Sequence, residues 1–210
     1  MPATRGEDDD HMTTQPLLAK VYDGWDSHQL ALERTVAPLV PEQLAWRPAS
    51  HLGSVGELIS HLALARLYWF HQMGAPGSAD LARGIPAWDG SPLDAANPGE
   101  LQRWIEATVD LEESIVDQPA DLLWWLRATW QMIDTTLAAW TVADLTRTYR
   151  RAYQGRLYDV SRQWTIWRIM SHDLHHGGEL SLLVGLQGID VPDLGDQGGH
   201  LTELPLAESI

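Results

Sequence analysis

The stretch from Ser161 to Gln187 contains no proline and is closed by Gly188. At 1.5 Å per residue it is a helix of about 40 Å. Thr165, Ile169, Leu180 and Leu183 fall on one side of it, and His172 and His176 fall on the same side. A helix this long with an apolar stripe must bury that stripe against other helices, which directs the chain toward a bundle.

The rest of the sequence supplies partners. Apolar periodicity makes roughly Gln15–Leu39 a first helix, closed by Pro41. The segment Glu42–Leu52 reads as a connector. Ser54 with Glu57 three positions on forms a capping-box pattern and starts a second helix that reaches about Met73. Residues 75–98 are rich in Gly, Pro, Ser and Asp and read as a long loop, of a length that suits a lid over a site. Two helices are predicted over 99–117 and 120–139, each opened by a proline and sharing a weak echo (Glu100-Leu101…Trp104…Ala107-Thr108 and Asp121-Leu122…Trp125…Ala128-Thr129). From Arg147 to Arg162, alternation around Gln154-Gly155 predicts a short hairpin. The clusters Trp124-Trp125 and Trp164/Trp167 read as core packing, with one or two rings at the mouth of a pocket as the alternative. The tail, with Pro192, Gly195, Gly198 and Gly199, reads as loop.

Composition narrows the function. Residues 1–12 (MPATRGEDDDHM) read as a leader or expression remnant, and 13–210 as one domain. The formal net charge of −15 argues against nucleic acid and anionic membranes as partners. Lys20 is the lone lysine, so the positive charge is almost all arginine, and an interior arginine in an acidic protein can still grip a carboxylate or phosphate. The chain has no cysteine, which excludes disulfides, thiolate metal sites and a cysteine nucleophile. With neither a signal-like start nor a long apolar run, a cytoplasmic location is the expectation.

The chemistry concentrates in Ser171-His172-Asp173-Leu174-His175-His176-Gly177-Gly178-Glu179. His172 and His176 lie about 40° apart on a helical wheel and can bite one metal ion, while His175 falls on the wetter side with Arg168 and Glu179. Neutral imidazoles suit zinc, nickel, copper or iron(II). Two core-edge histidines bonded to facing helices remain the alternative at this point. His61, at the edge of the stripe Val55, Leu58, Leu62, Ala65 and Trp69, is by itself an ordinary packed residue. The run His172-Asp173-Leu174-His175-His176 imitates the zinc-protease pattern, but Asp173 is one methylene too short to hold a general-base water and points away from both ligands. Nucleophile-elbow, Walker and Rossmann patterns are all missing.

The capped helix Ser54-Val55-Gly56-Glu57-Leu58-Ile59-Ser60-His61-Leu62-Ala63, taken with His172 to Leu180, resembles the DinB superfamily of bacterial damage-inducible and thiol-transferase-like proteins. The resemblance extends through Arg147–Trp167 and covers most of the chain. It implies an all-α four-helix bundle in up-down-down-up order, here with an additional helix (99–117) and a short hairpin. It also implies one divalent metal held by His61, His172 and His176: zinc or nickel first, with iron, copper or manganese also suited. The family often has His-His-Arg-Gly where this chain has His175-His176-Gly177-Gly178, so the role of that arginine has no counterpart here. Three ligands leave open positions on the ion, as in a catalytic site. The expectation is therefore a metal-dependent S-transferase-like enzyme, with a small-molecule thiol and an electrophile as partners. A metal-binding stress-response protein without turnover is the alternative, and a purely structural bundle is a third. No catalytic residue is assigned. Helix 120–139 carries Trp on more than one face, which is compatible with a homodimer.

Overall fold

The computed structural model describes residues 16–86 and 88–190. The leader and the tail expected from sequence lie outside the described residues. Among the described residues there are eight helices: α1 (Leu18–Val21), α2 (Trp25–Val36), α3 (Pro41–Ala45), α4 (Val55–Gln72), α5 (Ser78–Ala82), α6 (Pro98–Ile115), α7 (Pro119–Ala139) and α8 (Arg162–Gly185). A 3-10 turn (Val142–Thr146) leads from α7 into the hairpin β1 (Thr148–Tyr153) and β2 (Arg156–Ser161). No described helix is long and apolar enough to cross a membrane.

Local chemistry explains most boundaries. At the start of α4 the Ser54 Oγ accepts from the Glu57 amide at 3.1 Å, and the Glu57 carboxylate accepts from the Ser54 amide at 2.9 Å. Pro98 and Pro119 open α6 and α7 at the position where a missing N–H costs nothing. Hydroxyl capping recurs at α8, where the Ser161 Oγ accepts from the Trp164 amide at 3.1 Å. The Gln154-Gly155 loop has φ of 48° and 72°, the two-residue type I′ turn whose twist matches the strands it joins.

Four helices form the core bundle. Trp25 and Gln29 of α2 meet Trp130 and Leu126 of α7, so these two run antiparallel. His61 and Trp69 of α4 meet His172 and Trp164 of α8, again antiparallel. The order α2, α4, α7, α8 is up-down-down-up, and α6 is the additional helix, lying along α4 with Trp104 against Tyr68 and Glu112 against Ser60.

The structure corrects several expectations. The first helix is not continuous over Gln15–Leu39: Gly24, at φ 94°, turns the chain between α1 and α2. The connector contains α3. The 75–98 segment contains α5 and buries Ile85, Trp88, Leu93 and Ala95, and the Ala152 amide of β1 donates to the Ala95 carbonyl at 2.8 Å. It packs as part of the body of the protein. Trp125 is buried as expected, but Trp124, Trp164 and Trp167 are exposed. The buried line of α8 runs through Thr165, Ile169, Asp173 and Leu180, with the histidines to one side.

Asp173 is wholly buried and ties the bundle together. The Arg66 Nε donates to its carboxylate at 3.0 and 3.1 Å, and the Trp25 indole N–H donates at 2.9 Å. The other end of Arg66 donates to Gln29 at 2.7 Å, and Gln29 donates to the Leu126 carbonyl at 3.4 Å. His28, also buried, contacts the Asp173 carbonyl at 3.1 Å. Elsewhere α4 passes close to the end of α6: a Cβ on Gly56 would stand 1.8 Å from the Val116 carbonyl oxygen.

These contacts set two expectations for stability. Asp173→Ala leaves the Arg66 charge buried and unpaired and should cost about 3–5 kcal/mol in urea unfolding, whereas Arg66→Met combined with Asp173→Leu should recover most of that loss. Gly56→Ala should cost about 1–3 kcal/mol, since backbone rather than a flexible side chain blocks the new methyl. An unchanged urea midpoint in either single variant would contradict the corresponding contact.

Candidate metal centre

Two helix faces build the site. On α8, Trp164, Arg168, His172 and His176 recur every four residues and form one column. On α4, His61, Ala65 and Trp69 do the same. Because the helices are antiparallel, the histidine ends of both columns meet, and so do the tryptophan ends.

The three expected ligands come together. His61 Nε2 and His172 Nε2 are 3.1 Å apart. The ring centroids of His61 and His176 are 5.1 Å apart, and those of His172 and His176 are 4.3 Å apart. One nitrogen from each of the three rings lies within 4.8 Å of the others. His176 is oriented by Glu179, whose carboxylate lies 2.5 Å from Nδ1 and leaves Nε2 without that contact. The His172 Nδ1 is buried with no hydrogen-bond partner among the described residues. His175 points outward as expected, with 67% of its side chain exposed, and its Nε2 is 3.2 Å from Glu179. His175, His176 and Glu179 form a second, wetter cluster that shares His176 with the first.

Desolvation and the neighbouring imidazoles favour the neutral form of His172 and His61. The His172 pKa is pushed down to about 3, first by desolvation and then by His176, His61 and Arg168. His61 is lowered by desolvation and by His176. Neutral imidazoles are the form that coordinates metal. Ligands about 2.0–2.1 Å from a tetrahedral ion stand about 3.3 Å from one another, close to the His61–His172 separation. The donor set therefore fits a divalent transition metal, and the three histidines could hold one.

The cluster opens into a cleft of about 710 Å³. Its walls include Leu64, Tyr68 and Trp69 from α4, Leu101, Trp104 and Ile105 from α6, and Arg151 and Tyr153 from β1. No described part of 75–98 lines it, so α6 and the hairpin stand where a lid was expected. Glu112 also faces the cleft. Its carboxyl is raised above the usual range by burial and accepts from the Ser60 hydroxyl at 2.9 Å. Sequence reasoning missed Glu112, for which no local signal exists. It also missed the Glu179–His176 contact, which the i,i+3 spacing could have revealed.

The lowered histidines give the metal-free protein an acid-sensitive stability. Below about pH 6.5 the unfolded chain protonates these imidazoles while the folded chain does not, so the unfolded state binds more protons. The stability is full above about pH 6.5 and is lost as pH falls toward about 3, the folded value of His172. Urea unfolding at a series of pH values should show this slope, reduced in His172→Asn. An equal slope in that variant would contradict the contribution of His172.

No curated protein and no solved structure matches the chain. The profile of the DinB superfamily matches residues 25–180, a span that includes all three histidines and the four core helices up to Leu180. On that match, over well more than half of its length, the chain belongs to the DinB superfamily.

Proposed function

We propose that this protein is a metal-dependent enzyme that holds one divalent ion, zinc or nickel, through His61, His172 and His176 and acts with a low-molecular-weight thiol. The observation that carries this reading is the convergence of three imidazoles at the wall of an open cleft. A structural site would be closed by a fourth protein ligand. A bound divalent ion would supply Lewis acidity, lowering the pKa of a thiol or water brought to its open position. The thiol must come from solution because the chain has no cysteine.

The remaining work falls to side chains. Leu64, Trp69, Leu101 and Trp104 present apolar walls that shed water around a substrate. Glu112, with its raised pKa, is placed to exchange a proton within the cleft. A metal-binding protein without turnover would need the same histidines but neither the cleft nor a titratable carboxyl inside it.

Purified protein should carry about one transition-metal ion per chain, lost in His61→Ala and His172→Ala and retained in His175→Ala. Elemental analysis of protein prepared without a histidine tag checks this. In the cobalt-substituted protein, a millimolar thiol should change the visible spectrum, and the holo-protein should accelerate conjugation of that thiol to an electrophile. Metal binding without any thiol response would leave the non-catalytic reading.

A further inference from the structure

Among the described residues, Arg151 and Arg168 share one aromatic ring and pair with no carboxylate. Arg47, Arg66, Arg127, Arg150 and Arg162 each lie within 4.0 Å of an acidic side chain. Among the described residues, neither Arg151 nor Arg168 has such a partner. Both instead stack over Trp69: Arg151 Cζ is 4.5 Å from its ring centroid and Arg168 Cζ is 5.0 Å from it. The Arg151 Nε is buried and makes no hydrogen bond among the described residues. A buried guanidinium N–H left unpaired is costly, and stacking on an aromatic ring does not satisfy it.

Both side chains line the histidine cleft, and both also line a second cavity of about 620 Å³ between the hairpin and α8, walled by Tyr153, Tyr158, Trp164 and Asp159, whose carboxylate faces Arg150 at 3.8 Å. They therefore sit where the two cavities join. Arg168 is four residues before His172 on the same helix face, about 6 Å along the axis. Glu112, the carboxylate of the cleft, lies beside Ser60 at the histidine end, away from Trp69.

We propose that Arg151 and Arg168 form a binding site for the acid group, a carboxylate or phosphate, of a small molecule whose metal-directed atom reaches the three histidines. The two arginines offer fork-shaped donors to one anion, and Trp69 brings both guanidinium groups to one ring. The ligand lies along the cleft with its acid end at Trp69 and its reactive end at His61, His172 and His176. This rests on the reading of the histidines as a metal site only for the reactive end of the ligand.

The test uses the full chain loaded with cobalt and two thiols, 4-mercaptobutyrate and the uncharged 1-butanethiol, followed by the visible spectrum. The acid-bearing thiol should bind about tenfold or more tightly than the neutral one, and Arg168→Gln should bring the two affinities together. Arg168 is exposed, so its replacement leaves the core intact; Arg151→Lys, which keeps the charge and loses the fork, should weaken the preference partly. Displacement of 4-mercaptobutyrate by inorganic phosphate but not by acetate would support the site and identify phosphate as the preferred group. Equal affinity for both thiols, or a preference that survives Arg168→Gln, overturns the anion site and leaves the metal reading standing. If cobalt does not bind, the metal reading fails, and calorimetric titration of the metal-free protein with glutarate and with phosphate decides the anion site: binding lost in Arg168→Gln supports it, and no binding overturns it.

Discussion

The buried pair between Arg66 and Asp173 is the constraint on which the arrangement depends. Two charges without access to water require full compensation, and here each of the four core helices contributes to it. Trp25 and Gln29 come from α2, Arg66 from α4, the Leu126 carbonyl from α7 and Asp173 from α8. Sliding α4 against α8 would strand a charge, and sliding α2 or α7 would break a hydrogen bond that supports the pair, so the pair sets the relative register of the bundle. Asp173 adjoins His172 in sequence, and Arg66 is just over one turn beyond His61. The register that satisfies the ion pair is the register that brings the histidines together.

Much of this architecture is legible in the sequence because its signals are local. The Ser54–Glu57 box, the prolines that open α6 and α7, the Gln154-Gly155 turn and the four-residue spacing of His172 and His176 each act within a few residues of themselves. The misread parts depend on partners far away in the chain. The burial of Asp173 has no local signal, because its partner Arg66 lies 107 positions earlier. Trp164 and Trp167 look like core until the hairpin and α4 leave them at the surface. The 75–98 segment has the composition of a loop, yet its few large residues pack, and a strand pairs with its backbone. Gly24 is a single left-handed residue within an otherwise periodic pattern.

The additional helix changes what the bundle can do. The histidine cluster on α4 and α8 alone would lie on an open surface, without a wall on either side. With α6 along one side and β1 along the other, the same cluster has apolar walls. Low dielectric strengthens electrostatic interactions within such a space, including those of Glu112 and the two arginines.

The four-residue column on α8 has a geometric consequence of its own. Its positions are fixed marks about 6 Å apart on a rigid rod, so the distance between any two functional groups on it comes in whole steps. Moving the guanidinium from position 168 to 164 would lengthen the span to His172 by one step and no fraction of one. Any ligand that touched two groups of this column would be measured by a ruler whose graduations are helical turns, and chain length is the property that such a ruler reads.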